Sequence, residues 1–120
     1  MAPRVTSELF VAVLVRNARA GGGFAYVARR GNAQAGAILV AFYAGGGSGY
    51  DLYQAAPPAL SDEDTGRDTR RFHHARTLSD DAELRAMIDS EARFDPDFWL
   101  IEIENWNADV GELLPLVEGD

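Results

Sequence analysis

The chain has 120 residues, 47% hydrophobic and 25% charged, with a net charge of −8 and no cysteine. Thiol nucleophiles, iron–sulfur clusters, cysteine-based zinc and disulfide frameworks are thereby excluded. All 11 basic residues are arginine, which also removes Schiff-base catalysis and the lysine of a phosphate loop.

Met1 to Arg4 leads straight into folded-type sequence, so no secretory signal is expected. The longest apolar run, Leu9 to Val15, falls far short of the ~20 residues a spanning helix needs. Residues 9–16 place Val11, Val13 and Val15 on one face at period two and Phe10, Ala12 and Leu14 on the other, which predicts a strand buried on both sides. Gly21-Gly22-Gly23 interrupts the pattern, and Phe24 to Arg30 reads as a short helix closed by Gly31.

Gly36 to Tyr43 is a second strand, apolar on both faces and therefore central. A glycine-rich connection over 45–49 leads to a third strand at Tyr50 to Tyr53, which Pro57-Pro58 ends. Residues 61–70 are polar and read as a mobile loop, and Arg71 to Thr77 as a fourth strand anchored by Phe72. Asp80 and Glu83 have the spacing of a capping box, opening a helix with Leu84, Met87 and Ile88 on one face. It ends before Asp95-Pro96. Phe98 to Asn105 alternates cleanly, with Trp99, Ile101 and Ile103 on one face and Phe98, Leu100, Glu102 and Glu104 on the other. Leu113, Leu114, Leu116 and Val117 form a last apolar set that docks on the domain. The expectation is one α+β domain over 1–120, with a mixed or mainly antiparallel sheet of about five strands packed with two helices.

Several blocks together carry a resemblance. They are Gly22-Gly23-Phe24-Ala25, Arg29-Arg30-Gly31, Ala35-Gly36-Ala37-Ile38, Asp51-Leu52-Tyr53, Arg70-Arg71-Phe72, Arg93-Phe94-Asp95-Pro96-Asp97 with Trp99, and Glu102-Ile103-Glu104. In order and spacing the chain resembles the small bacterial proteins grouped as domain of unknown function 1491. One departure is Gln54-Ala55-Ala56-Pro57, where the family pattern has a Gly-Pro-Ala-Pro type of turn. The family name implies no activity, so the resemblance adds no catalytic residue.

Charge is distributed unevenly, with +3 over residues 1–60 and −11 over 61–120. The net charge of −8 argues against general affinity for nucleic acid or an anionic membrane, which needs a basic footprint. The glycine runs match no nucleotide motif: Tyr26 stands where a dinucleotide fingerprint needs a small residue, and Tyr50 where a nucleophile elbow needs glycine. His73-His74 beside Asp62, Glu63, Asp64 and Asp68 has the inventory of a metal site. Adjacent strand residues face opposite ways, however, so no metal and no cofactor are expected. Glu102 and Glu104 lie ~6–7 Å apart if strand-borne, a spacing paired hydrolytic acids use, but also ordinary on a half-exposed strand. Arg29, Arg30, Arg70 and Arg71 are the best candidates for a small-anion site, because the guanidinium fork suits carboxylate and phosphate.

The function expected is a non-catalytic binding or assembly module, cytoplasmic and homo-oligomeric. The alternative is a small hydrolase using acids and a histidine of the 62–74 region. Self-association is expected because Phe98, Trp106, Tyr50 and Tyr53 exceed what two helices would cover.

Overall fold

Helix caps and glycine turns divide the chain in the order α1 (Ser7–Ala20), β1 (Phe24–Arg29), β2 (Ile38–Tyr43), β3 (Tyr50–Ala55), β4 (Phe72–Leu78), α2 (Asp81–Phe94) and β5 (Trp99–Glu104). A 3-10 turn, Val110–Glu112, follows. The structure is a computed structural model that describes residues 5–46, 49–56 and 70–118. Residues 61–69 of the predicted loop, with Asp62, Glu63, Asp64 and Asp68 of the candidate metal cluster, Pro57-Pro58 and the Gly47-Ser48 part of the glycine connection lie outside those residues. Among the described residues, no helix is long and apolar enough to cross a membrane.

The five strands form one sheet in the order β1-β5-β2-β3-β4. Every neighbour pair is antiparallel except β2 and β5, which run parallel from Ile38↔Trp99 to Phe42↔Ile103. The fold is α+β with a mixed sheet, as the sequence implied. α1 covers one face, where Val11, Leu14 and Ala18 meet Val40, Trp99 and Ile101. α2 covers the other, where Leu84 and Met87 meet Leu39, Leu52 and Leu100. Each large side chain so buried contributes ~1.5–3 kcal/mol.

Two predicted elements are exchanged. Residues 9–16 are not a strand but the middle of α1, and the helix expected over 24–30 is instead β1, Phe24–Arg29, at the sheet edge. The run Leu9–Val15 is apolar all round because the solvent face of α1 carries Leu9 and Val13, 53% and 48% exposed. Alternation and helical periodicity cannot be told apart over so short a run. The true signals sit at its ends. The Thr6 hydroxyl accepts from the Leu9 N–H at 3.2 Å, and Gly21 closes the helix through its N–H to the Asn17 carbonyl. Gly22, at φ +93°, then turns the chain into β1.

The remaining predicted elements keep their identity with edges moved by a residue or two. Asp80 accepts from the Glu83 N–H at 2.9 Å, while the Glu83 carboxylate reaches past the cap to the Ser79 N–H at 2.9 Å. The final segment does dock: Leu114 is buried, and residues 115–117 bond to both backbone groups of Phe72 on the β4 edge.

The connection between β1 and β2 is folded onto the turn before β5. Asn32 accepts from the Gln34 and Ala35 N–H groups through Oδ1, and its own N–H donates to the Asp97 carbonyl at 2.9 Å. Its carbonyl accepts from the Trp99 indole at 2.8 Å. Gly36 lies so close to the Asp97 carbonyl that a Cβ there would overlap it. The Arg29-Arg30-Gly31 and Arg93-Phe94-Asp95-Pro96-Asp97 blocks of the family resemblance also meet here: Arg29 donates to the Pro96 carbonyl, and a Cβ on Gly31 would overlap the Asp97 carbonyl.

Candidate functional site

The described arginines of the predicted anion site are divided by the sheet. A bulge between Val27 and Arg29 adds one residue to β1, so that Arg29 pairs with Leu100 and joins the α2 face. Its guanidinium lies 4.4 Å from the Phe98 ring centroid and donates to the Pro96 carbonyl at 3.0 Å. Arg30 turns to the opposite face, over the Trp99 ring, and forms an ion pair with Glu8. Arg70 is buried, with its guanidinium over Phe10 and 3.4 Å from the Ser7 hydroxyl. Arg71 is exposed. Arg30 and Arg70 therefore both reach the first turn of α1, whereas Arg29 and Arg71 do not join them there. Two N–H groups of that turn are already spent, Ser7 on Gln34 and Glu8 on Ala33.

His73 and His74 diverge along β4. His74 stacks edge-on against Tyr53, and its Nε2 lies 3.1 Å from Asp51 Oδ1. Thr77 Oγ1 donates to the same Asp51 oxygen at 3.2 Å and stands 3.4 Å from the same imidazole nitrogen. A nucleophile–base–acid relay needs the two ring nitrogens on different partners. Here one nitrogen meets both, so the trio is a cross-strand hydrogen-bond cluster and not a relay. Among the described residues, no group of three or more histidine, aspartate or glutamate side chains is placed to hold a metal ion.

A further concavity lies on the α2 face. α2 packs over β2, β3 and β4 and leaves the outer part of β5 and all of β1 uncovered, opening a groove of about 320 Å³. Strands contribute Tyr26, Tyr50 and Glu102, and α2 contributes Asp81, Leu84, Arg85 and Ile88. The two hydroxyls are paired with the two carboxylates: Tyr26 donates to Glu102 Oε1 at 2.8 Å and Tyr50 to Asp81 Oδ1 at 2.5 Å. Burial, and then the hydrogen bond to Glu102, push the Tyr26 hydroxyl up to about 12. The hydrogen bond to Asp81 raises Tyr50 further, with burial adding to it. Of the acid pair named from sequence, only Glu102 enters this groove. Glu104 opens onto a separate hollow at the carboxyl ends of β2 and β5, beside Asp51, Asn105 and Trp106. The helix expected over 24–30 hides the pairing Tyr26↔Glu102, and Tyr50 reads from sequence as an association residue.

The tyrosines give a measurable pH dependence. The unfolded chain releases the Tyr26 proton near 10 and the folded chain near 12. The unfolded state thus holds fewer protons in that window, and stability falls as pH rises through it; the contribution is intact below pH 10. Tyr26→Phe is expected to flatten the alkaline limb by about 1 kcal/mol after solvent screening, read from urea midpoints between pH 8 and 12. Equal slopes for parent and variant would contradict the assignment.

The family described as "Protein of unknown function (DUF1491)" matches residues 5–110. Among solved structures, the chain is similar to protein Atu0922 from A. tumefaciens, determined in solution, at 39% identity over 98% of each chain and a TM-score of 0.79. It is similar also to a DUF1491 family protein from Caulobacter crescentus CB15. The crystal structure is 30% identical, covers 95% of this chain and 98% of that one, and has a TM-score of 0.72. The corresponding NMR structure is 31% identical over 95% and 97%, with a TM-score of 0.71. Among curated proteins, none matches.

Proposed function

For a chain that belongs to the DUF1491 family, a family of unknown function, we propose the role of a non-catalytic assembly module that acts in the cytoplasm by pairing with a second copy of itself through the outer face of α1. The observation that carries this reading is a stripe of Leu9, Ala12, Val13 and Arg16, spaced i, i+3, i+4 and i+7, all exposed. A large apolar residue on the solvent face of an isolated helix has no intramolecular task, whereas an antiparallel partner helix would bury both.

The charges favour a second copy as the partner. In an antiparallel pair crossing at the small Ala12, Glu8 of one helix faces Arg16 of the other, and the two macrodipoles oppose. Glu8 is already steadied by Arg30. The β1 edge is the rival surface, with Phe24 and Val27 exposed. It is guarded, since Arg19 Nε caps the Ala25 carbonyl at 3.1 Å and the bulge bends the strand. The residues first expected to drive association are spent internally: Phe98 and Tyr50 are buried, and Trp106 and Tyr53 pack against the α1-side core.

A helix pair of this size lies at the small end of specific interfaces, so a dissociation constant of about 10–100 μM is expected. Sedimentation should show a mass rising from 13.0 kDa toward twice that value as concentration increases. Val13→Glu should hold the chain at the monomer mass with its circular dichroism unchanged. Arg16→Glu should weaken association, and adding Glu8→Arg should restore it. A parent that stays monomeric at about 500 μM, well above that range, would overturn the proposal.

A further inference from the structure

We propose that the groove between α2 and the β1–β5 side of the sheet binds an aliphatic organic cation, an ammonium or guanidinium group on an apolar stem, held between Glu102 and Asp81. Each carboxylate gives one oxygen to a tyrosine, Glu102 its Oε1 and Asp81 its Oδ1. Each therefore keeps a second oxygen with acceptor capacity for a ligand N–H. The tyrosine hydroxyls do more than fill space. They fix the carboxylates on rigid strand and helix positions, which lowers the ordering cost of binding.

The remaining lining suits the rest of such a ligand. Tyr26 and Tyr50 place aromatic side chains in the lining, and Leu84, Ile88 and Ala28 offer an apolar wall to the stem. The field is negative: Tyr26 feels Glu102, Glu104 and Asp81, and Tyr50 feels Asp81 and Glu102. An anion would meet two carboxylates there, and a bare metal ion would find no third acid among the described residues. Arg85 is the one cationic side chain in the lining among the described residues. It is a like charge to the ligand, and so a built-in competitor for the two acids.

This groove and the proposed dimer face lie on opposite faces of the sheet, so either proposal can fail without the other. The test titrates 1,4-diaminobutane into the full chain at fixed ionic strength and follows backbone amide shifts. Saturable shifts confined to Tyr26, Asp81, Arg85 and Glu102 are expected. Glu102→Gln should weaken binding about tenfold, as loss of one charge-assisted contact requires. Glu104→Gln, outside the groove, should change it by less than about twofold, and Arg85→Gln should tighten it by about two- to fivefold. Shifts that fail to saturate, or equal losses in the two glutamate variants, mean diffuse counterion binding and overturn the site. Should Glu102→Gln fold poorly, Arg85→Gln still decides, because unchanged or weaker binding there rejects the competition on which the proposal rests.

Discussion

Trp99→Ala is expected to lower stability by about 3–5 kcal/mol, the largest effect of any single core truncation in this chain. Trp99 is the largest fully buried side chain, at 1% exposure, and stands where β5 is flanked on both sides by other strands. Its removal leaves a cavity bounded by the sheet and by the 30s connection, neither of which can collapse freely. The same ring supports the Arg30 guanidinium at 4.9 Å and anchors Asn32 through the indole N–H. Trp99→Phe should cost only about 1 kcal/mol beyond its smaller area, because the Asn32 carbonyl still accepts from the Gly36 N–H at 3.1 Å. Urea denaturation with an unchanged m-value measures both. An alanine variant within about 1 kcal/mol of the parent would show that Trp99 is not the centre of this core.

Gly49→Ala is the second large effect, with about 2–4 kcal/mol expected from two sources. Gly49 sits at φ +88°, a conformation L side chains rarely adopt. A Cβ there would also overlap the Leu78 carbonyl and come within 2.9 Å of the Ser79 carbon. Those are backbone atoms between β4 and the α2 cap, and they cannot swing aside as a side chain can. Gly45 separates the two sources, since it has φ +84° with nothing within 4 Å of a Cβ. Gly45→Ala should therefore cost only about 1 kcal/mol, the conformational part alone. Equal losses at the two positions would show that the close approach to Leu78 does not matter.

These two residues mark how far local pattern reaches. Trp99 belongs to a stretch whose alternation is unambiguous, and the face it shares with Ile101 and Ile103 is the face the structure buries under α1. The glycines after Tyr43 were legible as a turn, but that Gly49 touches the chain leaving β4 depends on the pairing Tyr50↔Leu78. The candidate groove was still less legible. Glu102 stood out for its spacing from Glu104, yet the spacing was not the useful signal. Its partner Tyr26 lies 76 positions away, and Asp81 is one of two acids in the first turn of α2.

The sequence by itself determined the α+β class, the central strands, α2 with its cap, the absence of thiol and lysine chemistry, and the family. The family rests on the resemblance of several motif blocks, and the rest on composition or on periodicity sustained long enough to exclude the alternative. Only the tertiary structure decided that the run Leu9–Val15 is a helix and Phe24–Arg29 an edge strand. A seven-residue apolar run satisfies both periods, and a sheet already supplied with β5 takes the segment able to pair with it. It was likewise the sheet, through one bulge in β1, that sent Arg29 to the face of α2 while Arg30 turned to the face of α1, because side-chain direction in a strand follows register and not the residue's identity.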